Sequence, residues 1–284
     1  MRKYSLIILI LISSALVYAQ QKPAYILYNA KGKKISYDKM IRQLAKKDIM
    51  LFGEYHNNAI THWLELSVAK DLSRLRDLIF GAEMFEADNQ QALNDYMNGK
   101  ITAKTFDTSA RLWHNYKTDY APIVNYAKEI KAPFIATNIP RRYASMVSKK
   151  GFEVLDTLSA LEKSWMAPLP IDYDSTLPGY VKMLEMMGGH GGGNMPKAQA
   201  TKDATMAYFI LQNFKPGSLF IHYNGSYHSD NYDGINWYLK RKQPGLKYAT
   251  ITTVTQKNIK ELLKENKRKA DYIICVDEDM TNTY

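Results

Sequence analysis

The chain has 284 residues, of which 46% are hydrophobic, and a formal net charge of +10 at pH 7. This length allows one large domain or two small ones with a substantial core. The positive charge is divided among separate Lys-rich patches, which disfavours a nucleic-acid-binding role and is typical of a solvated surface. The alternative for the same charge is attraction to an anionic ligand or to an anionic membrane surface.

The first 19 residues have the layout of a secretory signal peptide. A positive start, Met1-Arg2-Lys3, precedes a mostly apolar run from Ser5 to Leu16, and Ala19 provides a small residue at the cleavage position. The apolar run is shorter than the ~20 residues that span a bilayer. We therefore expect residues 1–19 to be removed, and residues 20–284 to form one α/β domain in the periplasm or at the cell envelope, without a transmembrane segment. Since no Cys lies near the cleavage position, we do not expect lipidation.

Short apolar runs alternate with segments of helical periodicity along the rest of the chain. The predicted strands are residues 25–28, 48–52, 77–80, 133–137, 218–222, 248–252 and 271–276, and the clearest predicted helices are 37–46, 59–75, 120–131 and 201–214. This alternation predicts an α/β fold with a mixed, mainly parallel central sheet flanked by helices. Residues 141–214 contain no convincing strand and predict a helical insertion that covers one end of the sheet. The only cysteine, Cys275, lies in an apolar run and is predicted to be a buried strand thiol.

Ionisable side chains follow three of the predicted strands, each near a glycine. Glu54 and His56 follow Gly53, Glu83 follows Gly81, and His228 follows Gly225; His62 and Glu65 lie one turn apart on the helix after the first of these strands. Because ligands bind beyond the carboxyl ends of strands in open α/β sheets, we expect Glu83 to face Glu54 and His56 across that edge. One such residue alone is more often a structural hydrogen-bond partner, but three strand ends together predict a site.

Six segments in order resemble the ChaN-like haem-binding family, which shares a superfamily with Tiki proteases, TraB proteins and erythromycin esterases. They are residues 53–56, 83–85, 138–142, 190–191, 203–207 and 225–228. The resemblance extends over nearly the whole chain after the signal peptide. It implies a haem-binding protein of iron uptake with an α/β core and an added helical part. It further implies a homodimer around stacked haems and an outer-membrane haem receptor as a partner.

Haem binding requires an axial ligand, an apolar slot and cations that pair with the propionates. The candidate axial ligands are His190, in a Gly-rich segment, and His114, Tyr116 and Tyr120, in an aromatic one. Arg141 and Arg142 are the candidates for pairing with the propionates, with plain surface charge as the alternative for both.

The competing hypothesis is a hydrolase. The candidate catalytic and metal-binding residues are then Glu54, His56, Glu83 and His228, which suit a divalent ion with an open coordination position. Alternatively, a His next to a Glu activates water without a metal. Haem binding does not require these carboxylates to share a pocket, so their clustering would favour hydrolysis. A plain structural protein is a third class, which the set of strand-end motifs disfavours.

Overall fold

A computed structural model of the chain describes residues 22–186 and 193–284. The strands in these ranges are β1 (Tyr25–Asn29), β2 (Ile49–Glu54), β3 (Leu78–Glu86), β4 (Phe134–Asn138), β5 (Leu219–Gly225), β6 (Tyr248–Gln256) and β7 (Tyr272–Asp277). They form one sheet in the order β1-β7-β6-β2-β5-β3-β4. β1 runs antiparallel to β7, and the other neighbouring pairs are parallel. The predicted mixed, mainly parallel α/β fold is therefore confirmed.

Helices cover both faces of this sheet. They are α1 (Tyr37–Leu44), α2 (Ala59–Ser73), α3 (Gln90–Met97), α4 (Ala103–Ser109), α5 (Ala121–Glu129), α6 (Arg141–Lys150), α7 (Ala160–Lys163), α8 (Pro178–Met186), α9 (Met195–Asn213) and α10 (Ile235–Lys242). Because the strands are covered on both sides, their sequences are nearly apolar throughout, and all six residues of β2 are buried. In the described ranges, no helix combines the length and apolar character that crossing a membrane requires.

Two hydrophobic cores lie on opposite faces of the sheet. Met50 and Phe52 of β2 belong to the core that α1 to α5 cover. Ile49 and Leu51 of the same strand belong to the core that α6, α9 and α10 cover. This alternation follows from the pleat, which points successive side chains to opposite faces.

The predicted helical insertion at 141–214 contains helices and turns in its described part, residues 141–186 and 193–214. It packs over one face of the sheet, through α6 and α9, and not over one end as we expected. Cys275 is buried and unoxidised in β7, as predicted.

Candidate functional site at the carboxyl edge of the sheet

The polar strand ends lie on three adjacent strands. β5 lies between β2 and β3, so Glu54, Gly225 and Glu83 all reach the carboxyl edge within two strand spacings. Strand alternation nevertheless separates the two acids. Glu54 has the parity of Met50 and points to the face covered by α2, whereas Glu83 points to the face covered by α9. The edge therefore carries two clusters.

The α2-side cluster consists of Glu54, His56, His62, Glu65 and Tyr120. Two donors reach the same oxygen, Glu54 Oε1, namely the Tyr120 hydroxyl at 2.7 Å and His56 Nδ1 at 2.6 Å. His62 Nδ1 lies 3.0 Å from Glu65 Oε2 and 3.4 Å from Glu54 Oε2. Asn58 caps α2 by accepting from the Thr61 N–H and so fixes the start of the helix that carries His62 and Glu65.

A second set of contacts orients the His62 ring. Its Nε2 donates to the backbone carbonyl of His56 at 3.0 Å and lies 3.6 Å from Asp119 Oδ2. Asp119 is itself held by Asn115 and Thr283, at 2.8 Å each. Thr283 follows β7, so the segment after the last strand contributes to the site.

The charges of the α2-side cluster depend on one another. Burial favours the neutral form of Glu54, but the hydrogen bond from His56 and the charge of His62 outweigh it, so the pKa of Glu54 lies below its ordinary value. Burial and the charge of Glu54 raise the pKa of Glu65 well above its ordinary value. Burial opposes the protonation of His62, yet its contacts with Glu65 and Glu54 raise its pKa to about 10. The cluster therefore holds a Glu54 carboxylate and a protonated His62 at neutral pH, with Glu65 favouring its neutral form.

The α9-side cluster consists of Glu83, His228 and Asp203. His228 lies between the two acids, with Nε2 3.1 Å from Glu83 Oε1 and Nδ1 2.5 Å from Asp203 Oδ1. Tyr180 donates to the other oxygen of Asp203 at 3.1 Å. Burial opposes the charge on His228, but Glu83 and Asp203 raise its pKa to about 9. Burial likewise opposes the charge on Glu83, yet His228 lowers its pKa below the ordinary value.

Gly225 is the contact point between the two clusters. Its N–H donates to Glu83 Oε2 at 2.8 Å. A Cβ at this position would lie 2.8 Å from His56 Nε2 and 3.5 Å from Glu83 Oε2. The absence of a side chain therefore allows His56 and Glu83 to approach the same small volume from opposite faces.

The four predicted metal and catalytic residues lie at this edge but do not form one set of ligands. Glu54 and His56 belong to the α2-side cluster, and Glu83 and His228 belong to the α9-side cluster. Among the described residues, the metal-type donors that lie within 4.8 Å of one another are those of Glu54, His62 and Glu65. Sequence spacing did not show which face each strand end points to, and the four-residue set stays a prediction.

The predicted axial haem ligands occupy different environments. The ring of Tyr116 packs against Phe85 and Phe106, whereas Tyr120 is buried and its hydroxyl is engaged as the donor to Glu54. His114 is exposed and contacts the ring of Tyr284. His190 lies outside the described residues.

The two predicted propionate partners are exposed at the start of α6. Arg142 Nη1 contacts Asp88 Oδ2 at 2.7 Å, and its guanidinium lies over the rings of Tyr143 and Trp165. Arg142 therefore already has an acidic partner, which supports its alternative role as a structural surface charge.

The structure adds three residues that sequence spacing did not select as site residues. Asp203 was inside one of the family-like segments, but its role depends on α9 packing beside β5. Asp119 lies in a short π-helix, Tyr116–Tyr120, which Asn115 directly precedes. Their function as supports of His62 follows only from the packing of this segment on α2.

Exposed apolar side chains occur on α8 and at the start of α9. Val181, Leu184 and Met186 on α8 and Met195 at the start of α9 are exposed, Met186 by 74%. We call these four residues the α8 patch. Tyr227, next to His228, donates to the Gly179 carbonyl at 2.6 Å and so links α8 to the carboxyl edge. Large apolar side chains that remain exposed are candidates for contact with a ligand or partner.

The protein is thus an α/β protein with helices on both faces of its sheet and a polar site at the carboxyl edge. The haem-binding uptake family of the Tiki superfamily, ChaN, matches residues 40–239, and the chain belongs to that family.

Two solved structures show the same fold. ChaN of Campylobacter jejuni, in a structure described as cofacial haem binding, is 19% identical over 91% of this chain and 99% of that chain, with a TM-score of 0.68. An erythromycin esterase mutant in its open conformation is 9% identical over 89% of this chain and 97% of that chain, with a TM-score of 0.53. No curated protein sequence matches the chain.

Proposed function

We propose that this protein binds haem between the α8 patch and the carboxyl edge of the sheet. The observation that carries this proposal is the exposure of four large apolar side chains next to the polar site, in a chain of the haem-binding uptake family. A haem ring is a flat apolar surface, and burying the α8 patch against it would remove these side chains from water. Apolar side chains can contact a haem ring only if they are accessible, as these four are.

The described residues also provide the polar contacts that haem needs. The charge of Lys202 adds to the effect of His228 in lowering the pKa of Glu83, and the charge of Lys182 opposes the rise that burial causes in the pKa of Asp230. Both cations therefore act at this edge and can pair with propionates. His190 is four residues after Met186 and five before Met195 in the sequence. An extended chain of four residues reaches at most about 14 Å, so His190 is tethered within reach of a ring on the α8 patch. We propose His190 as the axial ligand.

A haemin titration followed by absorbance tests this proposal. We expect saturable binding with a shifted Soret band, and His190→Ala should change that band because it removes the axial ligand. Met186→Glu should weaken binding, since it puts a charge on the apolar face. Leu75→Glu is the matched control, because Leu75 is also exposed but precedes β3 at the opposite edge of the sheet. Equal haemin affinity in Met186→Glu and Leu75→Glu would refute the location.

We further propose that the protein is exported and acts in haem and iron uptake. The signal-like residues 1–19, which lie outside the described residues, support export to the periplasm or envelope, and the family supports uptake. We propose that it dimerises around haem and receives haem from an outer-membrane receptor. The mass and N-terminal sequence of the protein from fractionated cells test cleavage after Ala19. Sedimentation with and without haemin tests dimerisation.

A second candidate function is hydrolysis at the same edge. The observation that favours it is the Asp203–His228–Glu83 cluster, in which two acids hold one imidazole in the interior. Such an arrangement orients a histidine for acid–base catalysis. Assays with ester and peptide substrates, with and without added divalent metal, test this function. Activity that persists in Glu83→Ala would remove the hydrolase assignment.

A further inference from the structure

The α2-side cluster contains buried carboxylate oxygens without hydrogen-bond partners. Glu54 Oε1 accepts from Tyr120 and His56, but Glu54 Oε2 accepts no hydrogen bond, and neither does Glu65 Oε1. The side chains of Glu54 and Glu65 are 0% and 1% exposed. Buried polar atoms are nearly always paired, and an unpaired one is destabilising, more so if it is charged. A cation between the two carboxyl groups would pair with both oxygens, in place of the proton that Glu65 holds without it.

The His62 ring is held in the orientation that a metal ligand needs. Its Nε2–H donates to the His56 carbonyl at 3.0 Å, which leaves Nδ1 directed at the two acids. A histidine that binds a metal through one ring nitrogen usually donates the other N–H to a carbonyl or carboxylate. Asp119, 3.6 Å from Nε2, reinforces this orientation.

The spacing of the donors also matches one bound ion. His62 Nδ1 lies 3.0 Å from Glu65 Oε2 and 3.4 Å from Glu54 Oε2, and one donor from each residue lies within 4.8 Å of the others. Ligands that bind one zinc ion, each at about 2.0–2.2 Å, are separated by roughly 3–3.5 Å. His62 and Glu65 share a face of α2 because they are three residues apart, and Glu54 meets them from the end of β2.

We propose that Glu54, His62 and Glu65 bind one first-row divalent transition-metal ion, represented by Zn²⁺. One imidazole nitrogen and two carboxylates suit such an ion, and its two positive charges would neutralise both acids. On binding, the ion would displace the proton on His62 Nδ1 and the proton of the neutral Glu65 carboxyl. Its path is past His56, whose side chain is 35% exposed and lies over Glu54. This site differs from the haem position and does not depend on haem binding.

Calorimetry with Zn²⁺ on chelator-treated, dialysed protein tests the proposal. We expect one ion per chain. Glu65→Gln should raise the Kd by at least about 100-fold, because loss of a residue that only supports a metal ligand already lowers metal affinity by about 10–100-fold. Gln keeps the size of Glu and removes only its charge. Glu129→Gln, an exposed residue at the end of α5, is the matched control and should bind as the unaltered protein does. Absence of zinc binding, or equal affinity in folded Glu65→Gln, would overturn the proposal.

A measurement on the unaltered protein covers the case in which Glu65→Gln does not fold. Nitrogen NMR of the histidine rings distinguishes His62 from the other imidazoles. We expect stoichiometric Zn²⁺ to shift Nδ1 of His62 strongly while its Nε2 remains protonated. A titration that shifts only other histidines, such as His228, would place the ion elsewhere and contradict the assignment.

Discussion

Replacing Gly225 with alanine should disturb the contact between the two clusters without straining the backbone. Gly225 has φ −54° and ψ 137°, which alanine adopts freely. The new Cβ would lie 2.8 Å from His56 Nε2, whereas ordinary contacts begin at 3.4 Å. The imidazole must therefore move by more than half an ångström or rotate. Either movement lengthens its 2.6 Å contact with Glu54.

The cost of this movement can be bounded in two ways. Overpacking a well-packed interior by one methyl typically costs about 1–3 kcal/mol. Weakening a charged hydrogen bond costs about 1.5–3 kcal/mol when the groups are buried. Since the His56 side chain is 35% exposed, the ring has space to shift and water can replace part of the bond. We therefore expect the free energy of unfolding to fall by about 1–2 kcal/mol, near the lower end of both ranges.

Urea unfolding and NMR titration of His56 measure the two consequences. The midpoint should fall with an unchanged slope. Burial opposes protonation of His56, but Glu54 raises its pKa, so a weaker contact should lower that pKa towards its ordinary value. Gly245→Ala is the control, because its Cβ would meet no atom within 4 Å. If Gly225→Ala matches Gly245→Ala in stability and leaves the His56 pKa unchanged, Gly225 is not the contact point between the two clusters.

Four other predictions concern titration and reactivity. Burial raises the pKa of Asp230 to about 6, so ionisation of this buried carboxyl lowers stability as the pH rises from about 4 to above 6. In urea unfolding, Asp230→Asn should therefore raise the free energy of unfolding by at most about 3 kcal/mol at pH 8 and by almost nothing at pH 4. His228, with its pKa raised to about 9, should stay protonated in NMR spectra at pH 7, and its stabilisation should disappear as the pH rises through 9. His222 should be neutral at pH 5 in the folded protein, since burial lowers its pKa to about 4. The unfolded chain binds this proton already near pH 6.5, so the stability of the protein should fall as the pH falls from 6.5 to 4. Cys275 should resist alkylation until the protein unfolds, because burial raises its thiol pKa to about 12.

The sequence alone determined the strands and the edge of the sheet that carries the site. All seven predicted strands are present because both faces of the sheet are covered, and the strands must therefore be apolar runs. The glycine-flanked acids at 54 and 83 could be assigned to one edge because parallel strands end together. The order of the sheet could not be predicted in this way, since it depends on which strands meet after the chain folds.

The division of the polar residues into two clusters depends on the tertiary structure. The strand β5, distant in sequence, lies between β2 and β3, and strand alternation directs Glu54 and Glu83 to opposite faces. Glu54 therefore joins His62 and Glu65, and Glu83 joins His228 and Asp203. Each partner comes from a helix or turn that packs against the sheet. Hydrophobic periodicity shows that a helix packs, but not which strand end its polar residues will meet.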